Sequence, residues 1–583
     1  MDVKTHRYTG TSQITYSNNS PDTLRNIYFH LFNNAFQPGS AMDLRSLQIE
    51  DPDPRIGDRI GGLSPEEIGF LHITQLQADG KALKFIEEGT ILEAELAKPL
   101  LPGKKLQLSL TFEAQSPLQI RRSGRDNKEG VAFSMAQWYP KVCEFDDRGW
   151  HADPYLEREF YGVWGDFDVT IHIDSAYTLG GTGVLVNPNE IGHGYTATDV
   201  KLKSTSGSKL HWHFKANKVH DFVWAADPDF LHTILQVENG PMLHFFRKNS
   251  PDLAENWDQL PDFMSKAMTF ASANFGEYPW PQYSFIQGGD GGMEYPMATL
   301  ITGRRKLGSL VGVCVHELMH TWYYGLLASN EGQYSWMDEG FASYAGEDVM
   351  DHLFPGRSSD DRPNYFNTYI DLARSGLEEP MATTADNFLT NDVYFSTTYS
   401  KGATFVAQLD YILGGKHLEI GLKKYFNEWK FKHPDPYDFI RVMEKQSDTH
   451  LKWYLNFMLN TTASIDYAIK KIDGDDRATR VALERLGRFP MPVDLAVTLQ
   501  DSSIQYFTIP LDVMRHAKTE QGNVTFDVLP DWTIGTKYYE LNLPIAVDQI
   551  ISIVIDPFRG MADINELNNR VDLEGSKKVM FTN

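Results

Sequence analysis

The pentapeptide HELMH, residues 316–320, constrains this chain most, because its chemistry depends on the segment being helical. At ~100° per residue, His316 and His320 differ in direction by only ~40° and stand one turn apart, so both imidazoles can reach one metal ion. Glu317 then sits beside the first histidine and can lean over a water held at that point. The flanking sequence LGSLVGVCVHELMHTWYYG repeats apolar residues at i, i+3 and i+4, which predicts a helix from about Gly308–Ser309 to Gly325. Satisfied core histidines are the competing reading of His316 and His320, and a third ligand is needed to set it aside. Glu339 supplies one, 19 positions after His320 in SWMDEGFASYAGEDVM. Ser335 and Asp338 form an S-x-x-D capping box, which predicts a second helix starting at Trp336 with Glu339 in its first turn and gives Asp338 a capping role. Two imidazole nitrogens and one carboxylate oxygen leave a fourth tetrahedral position for water, as in a catalytic zinc site rather than a closed structural one. Cys314, two positions before His316, points away from the metal and reads as core packing.

The rest of the chain divides by texture. From Tyr8 to about residue 215 short alternating strands dominate, as in ILEAELAKPLLPGKKLQLSLTF, and TSQITYSNNSPDTLRNIYFHLF reads as paired strands. From about 219 to 465 helical periodicity takes over. After 466 alternation returns, with Val493, Leu495, Val497 and Leu499 on one face, QDSS as a turn and SIQYFTI as the answering strand. The expected architecture is multidomain α+β: an N-terminal β-sandwich over 1–218, an α-rich middle over 219–465 and a small C-terminal β-sandwich over 466–583.

With 583 residues, two to four domains are expected. A formal charge of −24, from 54 basic and 78 acidic residues, repels phosphate backbones and argues against a nucleic-acid partner. Cys143 and Cys314 are far apart and offer neither a disulfide framework nor a thiolate cluster. No run of about 18 apolar residues exists, and the start MDVKTHRYTG lacks the charged and apolar regions of a signal peptide. The expectation is a soluble chain without a transmembrane segment, cytoplasmic as written, or periplasmic or secreted if a leader has been removed. Composition sets no oligomeric state.

HELMH with the glutamate of WMDEGF resembles the gluzincin metallopeptidases, and specifically the aminopeptidase N family with its HExxH-x18-E zinc signature. That family carries a G-x-M-E-N exopeptidase motif upstream of the zinc helix. GGMEY, 291–295, matches it at Gly291, Met293 and Glu294, with Gly292 at the variable place and Tyr295 where the family has asparagine. Tyr399-Ser400-Lys401-Gly402 matches the family's Y-x-K-G segment, and Tyr394 stands where some members carry another tyrosine near the metal. The resemblance implies a thermolysin-like catalytic domain over 219–465 and one Zn2+ per chain on His316, His320 and Glu339. Glu317 would be the general base, Tyr399 the oxyanion donor and Glu294 the anchor of the substrate's α-amino group. Gly291, Gly292, Met293 and Tyr394 would adjoin the substrate, and Gln137 in MAQWYPKV is the candidate for the family's amine-holding residue from the N-terminal domain. A buried ammonium needs a paired carboxylate, so Glu294 beside the metal would set the first peptide bond over it. The implied substrates are peptides with a free N-terminus. The β-rich tail implies that the large helical C-terminal domain of many longer members is absent. A thermolysin-type endopeptidase shares HExxH and a distal glutamate and is the alternative within enzymes, and a noncatalytic peptide-binding protein on the same fold is the alternative outside them.

Overall fold

The N-terminal alternation becomes two antiparallel sheets whose inward residues share one core. In one, Lys105–Gln115 runs between Arg7–Ser17 and Phe70–Ala78; in the other, Leu24–His30 and Ile91–Leu100 lie side by side at the centre. The ladder from Arg7↔Gln115 to Ser17↔Lys105 is unbroken, and Leu106, Leu108, Leu110, Phe112 and Ala114 all face inward, as a period of two requires. Arg7–Ser17 and Leu24–His30, which read as a pair, belong to different sheets. Between them Asn18 bonds through its backbone to Gly103 and Lys104 and through its side chain to the Leu100 carbonyl, so the chain crosses from one sheet to the other instead of folding back on itself. Two smaller sheets follow, one built on Gly165–Asp174 and Lys209–Val219, the other on Thr178–Gly181, Trp224–Asp227 and Phe133–Met135. In this computed structural model the described residues are 1–196, 207–357, 362–573 and 578–580.

The middle region contains a sheet as well as helices. Its strands β1 (Phe230–Gln236), β2 (Met242–Lys248), β3 (Gln282–Gln287), β4 (Gly292–Tyr295) and β5 (Ala298–Ile301) stand in the order β1-β2-β3-β5-β4. The β2–β3 and β3–β5 pairs are parallel, and β4 closes one edge antiparallel to β5. Every residue of β3 and β5 is buried, so these strands lack the alternation that would distinguish them from buried helix. Around the sheet stand α1 (Leu260–Phe275), α2 (Leu307–Met319), α3 (Glu331–Leu353) and α4 (Gly402–Leu413), among further helices.

Two helix boundaries differ from expectation. Helix α2 ends at Met319, with His320 at its C-cap; the Gly325 amide then bonds the His320 carbonyl at 2.7 Å, and Tyr324 is held at φ +125°. Helix α3 begins at Glu331 rather than Trp336, because the Asn330 side chain accepts from the Gln333 amide and caps it first. Its backbone breaks at Tyr334 (φ −134°, ψ 50°) and resumes at Ser335, whose hydroxyl meets Thr398 at 3.1 Å instead of capping.

The C-terminal region is again two sheets. Tyr467–Gly474, Thr479–Arg485 and Tyr538–Leu543 pair in one, and Val493–Leu499, Ile504–Ile509 and Ile550–Ile555 in the other, where the expected hairpin pairs from Val493↔Ile509 to Thr498↔Ile504. It docks on α4, where the Tyr411 hydroxyl accepts from the Asp494 amide and donates to the Pro492 carbonyl, both at 3.0 Å.

Candidate metal centre and substrate cavity

Helix α2 carries His316 in its last turn and His320 at its C-cap, and the resumed part of α3 brings Glu339 to face them. His316 Nε2 is 3.0 Å from Glu339 Oε2 and 3.1 Å from His320 Nε2, and His320 Nε2 is 3.3 Å from Glu339 Oε2. Zinc–ligand bonds of about 2.0–2.1 Å at the tetrahedral angle separate donors by roughly 3.3–3.4 Å, so the triangle fits one zinc ion after a slight expansion. The tautomer fits too. His320 Nδ1 hydrogen-bonds Asp338 Oδ1, a carboxylate can only accept, and so Nε2 keeps its lone pair for the ion. Asp338 therefore orients the His320 ring; the capping role does not hold, because Asn330 already caps the helix.

Glu317 stands beside this triangle. A Cβ on Gly292 would lie 1.9 Å from Glu317 Oε1, so the glycine at this position makes room for the carboxylate. Burial pushes the Glu317 carboxyl up; His316 and His320 oppose that and Glu339 adds to it. From the edge strand β4 comes Glu294, 5% exposed, with Oε1 lacking a hydrogen-bond partner among the described residues. Oxygen atoms of Glu159, Glu294 and Glu331 lie within 4.8 Å of one another, and Glu294, Glu317 and His320 form an equally close group. Burial pushes the Glu294 carboxyl well up, and Asp338, Glu159 and Glu317 push the same way against His320.

Tyr399 lies in a π-helical turn, Ser396–Lys401, that leads into α4. Its hydroxyl donates to Glu339 Oε1 and its ring stacks on His316 at 5.8 Å. Burial, with the Glu339 carboxylate adding, pushes the phenol well above its ordinary value, so it stays a proton donor at neutral pH. The turn is anchored on one side by Lys401, buried and ion-paired with Glu378 at 2.7 Å. On the other, Gly402 packs so tightly on Gly340 that a Cβ at Gly340 would lie 2.6 Å from the Gly402 Cα.

A cavity of about 190 Å³ opens onto His316, Glu317, Glu339, Tyr399, Gly292 and Glu294. Tyr394 also lines it, with the Arg158 guanidinium 3.9 Å above its ring. Three expected neighbours do not line it. Met293 alternates to the other face of β4 and packs in a core cluster, as strand geometry demands. Gly291, at φ +92°, supplies a left-handed backbone turn and no wall. Gln137 has its amide engaged elsewhere, accepting from the Tyr295 hydroxyl at 3.0 Å and donating to Asp221 at 3.3 Å. The N-terminal region contributes Arg55, Arg121, Arg122, Arg158 and Glu159 to the wall instead. No local motif marks them; only the fold brings Arg158 to Asn391, 233 positions away. On its other side His316 faces a more open hollow of about 340 Å³ between α2, α3 and the helix Asn364–Ser375. No helix among the described residues is long and apolar enough to cross a membrane.

Comparison with known proteins adds independent findings. Residues 262–458 match the peptidase family M1 domain. Leucine aminopeptidase 2 of Chaetomium globosum is 25% identical over 222 residues, 34% of this chain and 34% of that protein. Aminopeptidase B of Rattus norvegicus is 30% identical over 188 residues, 28% of each. The alignments thus span about a third of the length of these curated relatives. Among solved structures, a mutant of an M1 zinc metallopeptidase from Deinococcus radiodurans superposes with TM-score 0.52 at 14% identity, over 78% of this chain and 90% of that one. Legionella pneumophila aminopeptidase A, in complex with aspartic acid, gives 0.62 at 12% identity, over 95% of this chain and 57% of that one. At such identities these likenesses speak for the fold.

Proposed function

We propose, from the premise that residues 262–458 form a peptidase M1 domain of the aminopeptidase N group of gluzincins, that this chain is a zinc-dependent aminopeptidase removing single residues from free peptide N-termini. The observation that carries the exopeptidase part is the buried Glu294 carboxylate, with one oxygen unpartnered, beside the three converging donor atoms. Such a group calls for a cation, and a peptide α-ammonium placed there would set its own first peptide bond at His316, His320 and Glu339. Glu159 and Glu331 add to the same negative end. The catalytic unit is taken as 219–465, between β-domains at 1–218 and 466–583.

His316, His320 and Glu339 would hold the zinc ion, which when bound supplies a Lewis acid and acidifies a water molecule. Glu317 accepts the water's proton on its carboxylate and returns it to the departing amine. The Tyr399 hydroxyl leaves Glu339 and donates to the carbonyl oxygen as that oxygen gains charge. Glu294 keeps the α-amine in register throughout, and no covalent acyl-enzyme is required. Peptides are the substrate class this arrangement suits.

A panel of free-amine aminoacyl anilides with chelator and zinc-readdition arms tests the reading, alongside N-acetylated peptides. Free-amine substrates should be cleaved only with metal, and acetylated ones not at all at the first bond. Efficient internal cleavage of blocked peptides would instead make the protein an endopeptidase. In Glu317→Gln the metal should stay and turnover nearly vanish; a zinc-loaded variant with normal rates would remove Glu317 from the chemistry.

A further inference from the structure

The aminopeptidase reading leaves one charged group of the cavity wall without a task. Glu317 and Glu339 belong to bond cleavage, and Glu294 to the amine. Glu159 is held by Arg122, its two oxygens 2.5 and 2.6 Å from one guanidinium nitrogen. Arg121 pairs with Asp290 at 2.6 Å and Arg55 with the same carboxylate at 3.4 Å, so both fix the glycine-rich loop before β4. Arg158 remains.

Arg158 is 2% exposed; its guanidinium carbon stands 3.9 Å from the centre of the Tyr394 ring, and the group bonds Asn391 Oδ1. Its one ion-pair partner among the described residues is Glu157, 3.5 Å away and shared with Arg45. Asp386 feels both guanidiniums but is ion-paired with neither. The Arg158 Nε–H has no acceptor among the described residues. A buried guanidinium with an unmet donor in the wall of a ligand cavity is costly unless the ligand brings the acceptor, and a carboxylate is the acceptor that binds it most strongly. At about 190 Å³ the cavity is well below the roughly 300 Å³ of a drug-sized site and has room for little beyond one residue. The carboxylates of Glu159, Glu294 and Glu331, within 4.8 Å of one another, suit an ammonium; Arg158 over Tyr394 suits an anion.

We propose that Arg158 reads a carboxylate on the side chain of the first substrate residue, so that peptides beginning with Asp or Glu are the preferred substrates; this rests on the aminopeptidase reading. Neutral Gln and Asn lose the charge on the bond, and Lys or Arg at that place meets a like charge.

Isosteric substrate pairs test this in the intact, zinc-loaded wild-type enzyme. Glu- over Gln-anilide and Asp- over Asn-anilide should each show kcat/KM higher by roughly tenfold or more, with Lys-anilide poorest. By calorimetry free L-glutamate should bind more tightly than L-glutamine. In Arg158→Gln and Arg158→Met the Glu:Gln ratio should fall toward one, whatever the absolute rate, with thermal melts verifying that each variant folds. Equal kcat/KM for Glu and Gln in the wild type, or a preference for Lys, overturns the assignment while leaving the aminopeptidase standing. Failure to cleave any free-amine substrate sinks the aminopeptidase reading, and this assignment with it.

Discussion

His320 Nδ1 and Asp338 Oδ1 are hydrogen-bonded where neither side chain reaches solvent, at 1% and 0% exposure. That bond fixes which ring nitrogen faces Glu339 and raises the basicity of the one that does. In Asp338→Asn the geometry can survive while the charge is lost, so zinc affinity should fall about 10- to 100-fold. Competition with a chromogenic chelator measures this, and an unchanged zinc affinity would reduce Asp338 to packing.

Gly292 and Glu317 make a second such pair, because the carboxylate occupies the space a side chain at 292 would fill. In Gly292→Ala the methyl would force Glu317 off its position by more than a bond length. The zinc content should stay near that of the wild type while kcat drops by roughly 10² or more, the scale on which a general base contributes. A variant with full turnover would mean that Glu317 relocates freely and that its observed position is unimportant.

How much of this site can be read from the chain depends on how local each relationship is. His316 and His320 are legible because four residues of helix fix their geometry, and Glu339 because its helix lies next in sequence. Glu294 is visible only through its motif. Asp338 is misread as a cap: S-x-x-D is a local pattern, and the contact with His320 that overrides it is tertiary. Met293 sits in the motif, yet strand alternation turns it away from the cavity. Glu159, Arg122 and Arg158 come from loop segments of the N-terminal region and carry no spacing signal toward residues 292–399. Gln137 is chosen by family position, but Tyr295, standing where the family has asparagine, engages its carbonyl. The β–α–β order is legible from texture, whereas the buried strands β3 and β5 lack the alternation that would announce them.

Asp290, in the loop before β4, accepts from Arg121 Nη1 at 2.6 Å and from the Arg122 amide at 2.8 Å. Burial alone would raise its carboxyl, but Arg121, Arg55 and Arg122 outweigh that and hold it below the ordinary value. A depressed folded-state value gives stability that is complete above the unfolded value, about 3.9, and fades as pH falls through the folded one. Breaking a buried pair of this kind typically costs about 3–5 kcal/mol. Asp290→Asn should therefore melt earlier than the wild type at pH 7, and the gap should narrow as pH drops below about 4. A gap that stays constant from pH 7 to 3 would show that Asp290 acts through its shape and not its charge.

Tyr399 and Glu339 meet because two helices touch at Gly340 and Gly402, each one residue or a few beyond the functional group it serves. The crossing can be separated from the phenol by mutation. Tyr399→Phe removes the donor alone, and kcat should fall by roughly 10² to 10³, about 3–4 kcal/mol, with KM little changed. Gly340→Ala would press its methyl against backbone atoms of Gly402 and Ala403, which no rotamer change can relieve, so the helices must part. The double variant distinguishes the mechanisms. If Gly340→Ala acts by moving Tyr399, it should add little to the kcat loss of Tyr399→Phe, because the displaced group is already absent. Losses that multiply in full would instead place the effect of Gly340 on Glu339, which follows the same helix, and zinc affinity measured on Gly340→Ala should then fall as well.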